Sequence, residues 1–191
     1  MDTAFERKNL EFKKILSQAT NLDTLLRSVS SEMRVSHFGK LSVYEGNDWK
    51  YSSLGLLLCN DRSFREPPSI AISAMPELGY VMGEFEEVSD VRRQEHPVQM
   101  NEANTKHIRL IRGMGGGTDL DGMVRVSLSR YEASGFGQVV VYNQLDRFEY
   151  WSSVIFLKSK TERSRNAVIL IEPALGPWFH THEYAEVGQD I

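Results

Sequence analysis

The chain has 191 residues, of which 41 % are hydrophobic, 10 % aromatic and 25 % charged. That is apolar material for one sizeable core, and a net charge of −4 is too small for a chain that stays disordered. With 22 basic against 26 acidic residues nothing draws it over long range to nucleic acid, and a single cysteine excludes an internal disulfide. The longest apolar run, Leu54–Cys59, is far below the roughly 18 residues a membrane helix needs. The opening MDTAFERKNLEFKK lacks the apolar core of a signal peptide. These features set the expectation of a cytoplasmic protein with no membrane span.

Taken in order, residues 1–34 read as two helices. Thr3 and Glu6 have capping-box spacing, and Phe5, Phe12, Ile15, Leu16 and Ala19 follow at helical intervals. Thr20-Asn21 breaks this segment, and Leu22, Leu25, Leu26, Val29 and Met33 form a second apolar stripe. From residue 40 the pattern becomes one of strands. Lys40–Tyr44 and Trp49–Cys59 flank Glu45-Gly46-Asn47-Asp48, a hairpin turn, and Ser69–Ala74 and Tyr80–Val88 follow. Residues 89–106 read as a loop and His107–Arg112 as a strand. In Met123–Arg130, Val124, Val126 and Leu128 alternate with Arg125, Ser127 and Ser129, the pattern of a strand with one wet face. Gly137–Tyr142, Glu149–Leu157 and Asn166–Ile171 complete the set, the last two apolar on both faces.

No internal repeat stands out. The expectation is an α+β, mainly β, single domain over residues 1–191. A helical N-terminal hairpin (1–34) packs on an antiparallel β-sheet, sandwich or barrel (40–191).

The most suggestive chemistry lies near the C-terminus, in Gly176-Pro-Trp-Phe-His180-Thr-His182-Glu-Tyr-Ala-Glu186. On a strand, alternate residues share a face, so His180, His182, Tyr184 and Glu186 project together. Two imidazoles and a carboxylate make a facial set suited to a divalent metal, zinc or ferrous iron. The spacing His-x-His-x3-Glu after a glycine resembles the first metal-binding motif of the cupins. That resemblance implies metal ligation by His180, His182 and Glu186 and a β-barrel fold. It spans about a dozen residues, and the motif sits late in the chain, with a shorter glycine spacing than in that family. The competing reading is a terminal strand with surface histidines.

Gly113–Gly117 reads as a hairpin loop, since Asp119 and Asp121 oppose an anion and no Gly-Lys-Ser/Thr follows. Cys59 reads as a buried thiol. Lys158, Lys160, Arg163 and Arg165 form a short basic patch that Glu162 interrupts. No complete catalytic set emerges, and no cofactor is assigned beyond the metal alternative. Three functions follow. The first is a non-enzymatic structural or interaction subunit that self-associates or docks on a protein partner, as a viral or phage accessory protein does. The others are a metal-dependent enzyme using His180, His182 and Glu186, and a small-ligand-binding β-barrel.

Overall fold

The computed structural model describes residues 7–60, 66–76, 79–88, 105–110, 115–116, 119–161, 166–172, 176–180 and 184–186. The chain divides into two compact units, Met1–Gln99 and Met100–Ile191. No described helix is long and apolar enough to cross a membrane.

The first unit runs β1 (Arg7–Ala19), α1 (Leu22–Arg27), β2 (Arg34–Glu45), β3 (Asp48–Cys59), β4 (Ile70–Met75) and β5 (Gly79–Glu87). These strands close into a barrel in the order β1-β2-β3-β4-β5. β1 and β2 are parallel, joined across α1, and every other neighbour is antiparallel. Gly46, at φ 61, makes the β2–β3 turn, where a side chain would be strained. Leu10, Leu41, Val43, Tyr51, Leu57, Ala71 and Phe85 form one buried cluster, with Phe12 and Met75 packed against it.

The second unit runs β6 (Thr105–Leu110), β7 (Gly115–Gly116), α2 (Leu120–Leu128), β8 (Tyr131–Tyr142), β9 (Phe148–Ser159), β10 (Ala167–Glu172), β11 (Gly176–His180) and β12 (Tyr184–Glu186). Its sheet order is β12-β6-β8-β9-β10-β11-β7. β6 and β8 are parallel across α2, as β1 and β2 are across α1. β6 and β7 pair with β12 and β11 in a single antiparallel register, so together they take the places of β1 and β5. Its cluster is Ile108, Val139, Val141, Val154, Phe156, Val168 and Leu170, with Tyr150 packed against it.

The two units are therefore one topology used twice, contrary to the expectation of no repeat. At one constant spacing, Asn21, Leu22, Asp23 and Arg27 recur as Asp119, Leu120, Asp121 and Arg125. Phe38, Gly39, Val43 and Tyr44 recur as Phe136, Gly137, Val141 and Tyr142. The helices are built alike. Asn21 Oδ1 accepts from the Thr24 amide at 2.8 Å, and Asp119 Oδ1 accepts from the Gly122 amide at 2.5 Å. Each cap satisfies an amide that the first helical turn leaves without a backbone partner. Arg27 reaches Asp23 at 2.7 Å and Arg125 reaches Asp121 at 3.0 Å, one turn apart. Leu22, Leu25 and Leu26 are buried in one helix, Leu120, Met123 and Val124 in the other.

These findings correct the expected fold class. No helical hairpin occurs among the described residues of the N-terminal segment; residues 7–19 are a strand, followed by the short α1. The helical spacing of Phe12, Ile15 and Ala19 comes from bulges in β1. Lys13 and Leu16 are extra residues against β5, and each resets the two-residue alternation. The proposed Thr3–Glu6 box lies outside the described residues. Conversely, Met123–Arg130 is mostly helix. Alternation over so short a run also fits a helix, and the Asp119 cap with buried Leu120, Met123, Val124 and Ser127 at i, i+3, i+4 and i+7 decides it.

Candidate functional site

In the first unit β1 leaves its parallel partner early. The β1–β2 ladder ends at Glu11 opposite Tyr44, whereas β1 follows β5 on to Ala19. Beyond Glu11 the barrel wall parts, and a groove of about 660 Å³ opens there. Phe12 and Ile15 of β1, Val43 and Tyr44 of β2, Tyr51 of β3 and Met75 of β4 line it. Glu11, Glu45 and Lys50 stand among the same walls.

Two local features shape this opening. The first is the bulged β1. Phe12 and Ile15, three apart, would face opposite sides of a regular strand, and the extra Lys13 brings both to the groove. Gly83 accommodates the result, because a Cβ there would lie 2.7 Å from the Phe12 ring and 2.7 Å from the Lys14 carbonyl.

The second feature is a small cross-strand pair inside the barrel, Gly55 opposite Ser73. The Leu41 side chain fills the space over Gly55, where a Cβ would fall 2.2 Å from its Cδ1. Ser73 admits the Tyr51 ring, whose hydroxyl lies 2.8 Å from Ser73 Oγ. Tyr51 is 6 % exposed and Ser73 0 %. Burial raises the Tyr51 pKa above its ordinary value, and the Ser73 hydrogen bond offsets part of that rise.

The charges at the groove are matched. Lys50 pairs with Glu45 at 3.2 Å, and Lys13 lies 3.4 Å from both Glu11 and Glu86. The site is thus an apolar, aromatic recess with Tyr51 in its wall and an ion-paired rim.

The residues singled out by sequence for metal binding are not among the described lining of this groove. The segment expected to be one strand is described as two. His180 lies in β11 at the register of Val168, and Glu186 lies in β12 at the register of Ile108. His182 lies outside the described residues, and His180 and Glu186 are placed by backbone register. Among the described residues, no group of three or more His, Cys, Asp or Glu side chains is gathered as metal ligands would be. Gly115 and Gly116 pair with Phe179 and Trp178 rather than forming a free loop tip. Cys59 is a buried cysteine, in no disulfide, at the end of β3.

Sequence reasoning passed over Tyr51, Ser73 and Met75. The available signal was the hydroxyl run Tyr51-Ser52-Ser53 inside a strand buried along its length from Tyr51 to Cys59, since buried hydroxyls need partners within the fold. No protein-family model matches the chain, and no curated protein or solved structure matches it either.

Proposed function

We propose that this protein is a non-enzymatic binding module whose first unit holds a small apolar ligand in the groove beside β1. The observation that carries this reading is the parted β1–β2 wall, which leaves Phe12, Tyr44, Tyr51 and Met75 around about 660 Å³ of open space. That volume falls in the range of small-molecule pockets, roughly 300–1,000 Å³, and its mostly apolar wall with a few polar groups is their usual makeup. A strand from another protein is the less suitable occupant. The free edge of β1 carries two bulges and Lys13 and Lys14, devices by which sheets resist edge pairing.

The test is titration with prodan, an uncharged naphthyl ketone dye whose emission reports its surroundings. One dye should bind per chain with blue-shifted emission, and Met75→Trp, which fills a half-buried groove position, should weaken binding at least about tenfold. Equal binding by wild type and variant would remove the reading.

A second reading is self-association through the second unit, favoured by exposed apolar side chains around the β8–β9 hairpin. Leu145 is 73 % exposed, Phe148 53 % and Trp151 58 %, and clustered exposed apolar groups mark contact surfaces. Light scattering tests it, with Trp151→Ser expected to shift any dimer toward monomer.

A further inference from the structure

We infer that the inner end of the groove selects an uncharged ligand bearing a hydrogen-bond acceptor, a carbonyl for example, which the Tyr51 phenol recognises. This inference rests on the reading of the groove as a ligand site.

Tyr51 and Ser73 together carry two hydroxyl protons. One joins the two oxygens, 2.8 Å apart. Among the described residues, no acceptor is present for the other. Both side chains are more than nine-tenths buried, and buried donors are rarely left unmatched. Tyr51 lines the groove while Ser73 does not. The arrangement that satisfies every group has Ser73 O–H donating to the Tyr51 oxygen and Tyr51 O–H donating to a ligand in the groove. Donation from Ser73 also polarises the phenol and strengthens its own donation.

The charges narrow the ligand further. The walls hold Glu11 and Glu45, and the lysines beside them are already engaged, Lys13 with Glu11 at 3.4 Å and Lys50 with Glu45 at 3.2 Å. A carboxylate ligand would meet these carboxylates in a recess with few charged donors to replace its water. An uncharged acceptor avoids that cost. The second unit supplies an internal contrast: Tyr150 takes the register position of Tyr51 beside Val141, but Leu170 stands where Ser73 would be, so the hydroxyl pair is lost.

The experiment compares prodan with dimethylaminonaphthalene, the same ring system without the carbonyl, on the full-length protein. The wild type should bind the ketone about three- to tenfold more tightly, the scale of one net hydrogen bond. Its bound emission should carry the red component of a hydrogen-bonded carbonyl. Tyr51→Phe should erase the preference and that component. Ser73→Ala, which keeps the phenol, should retain part of the preference. A preference that persists in Tyr51→Phe, or equal wild-type affinity for both dyes, would overturn the inference and leave the groove reading standing. Binding of neither dye would overturn both.

Discussion

Where the first unit sets Gly55 opposite Ser73, the second sets Val154 opposite Leu170. The surrounding positions are otherwise alike: Leu10, Leu41, Val43 and Tyr51 in one cluster correspond by register to Ile108, Val139, Val141 and Tyr150 in the other. The second unit fills its centre with the side chains of two neighbouring strands. The first fills it by leaning Leu41 and Tyr51 inward over small residues, which leaves room at the mouth. The outer walls differ by the same logic. In the first unit Arg7, Ser42, Ser52 and Trp49 form a hydrogen-bonded chain with links of 3.2, 3.0 and 3.0 Å. In the second, Val140 and Trp151 occupy the positions of Ser42 and Ser52, and Trp151 is left exposed. One path of the chain thus supports a centre built on small residues in one unit and on large apolar side chains in the other, and the difference lies in a few side-chain volumes and two bulges.

The most forceful way to break this comparison is to give the first unit the second unit's residue. Gly55→Val places carbon 2.2 Å from Leu41 Cδ1 and 2.4 Å from the Ile72 carbonyl oxygen. The leucine can turn aside, but the backbone oxygen cannot, so overpacking should cost about 3 kcal/mol in urea unfolding. An unchanged unfolding midpoint would show that Leu41 does not hold the centre of the barrel. Ser73→Leu is the milder exchange. It removes the hydrogen bond and pushes the Tyr51 ring toward the mouth, so prodan binding should fall at least about tenfold while stability drops by about 1–2 kcal/mol. Retained binding would mean that the tilt of Tyr51 does not create the groove.

The helices sharpen the comparison from the side of likeness. α1 has six residues and α2 nine. Loss of either cap, Asn21→Ala or Asp119→Ala, should cost about 1 kcal/mol, with the larger loss in α1, where fewer backbone bonds share the strain of a missing one. Equal losses measured by amide exchange in the two helices would argue that their packed leucine and methionine faces, not their caps, fix them.

Much of this architecture was legible in local chemistry. The Gly46-Asn47 turn announced the β2–β3 hairpin, and Glu149–Leu157 and Asn166–Ile171 read as central strands because both their faces are apolar. The misreading of residues 7–19 has one cause, that β1 is bulged. Lys13 and Leu16 shift the alternation so that a two-residue period looks helical. The repeat stayed hidden because the two halves keep backbone pairing rather than side chains: Gly55 has become Val154 and Ser73 Leu170, while the shared Leu-Asp and Phe-Gly pairs are too short to stand out. The groove was illegible for a related reason. Its residues come from β1, β2, β3 and β4, and only the early parting of β1 from β2 brings them together. The histidine motif was conspicuous in sequence, yet its expected face depended on one continuous strand, where β11 and β12 are described on separate partners.

The smallest expected effect concerns pH and isolates Tyr51 from its counterpart. Burial raises the Tyr51 pKa above its ordinary value near 10.0. In the unfolded chain this phenol begins to release its proton near that value, whereas the folded barrel keeps it. Above about pH 10 the unfolded state therefore binds fewer protons, and stability falls as pH rises. The contribution is complete below the unfolded pKa and is lost as pH climbs through the folded one. Wild type should accordingly lose more stability between about pH 9 and 11 than Tyr51→Phe, whose ring fills the same space with nothing to ionise. The variant also gives up the Ser73 bond, so its curve starts lower and descends less steeply. Parallel curves over that interval would mean that the phenol is hydrated in the folded state. Tyr51 would then stand open to water at the mouth, and the volume borrowed from Gly55 and Ser73 would not be what empties the groove.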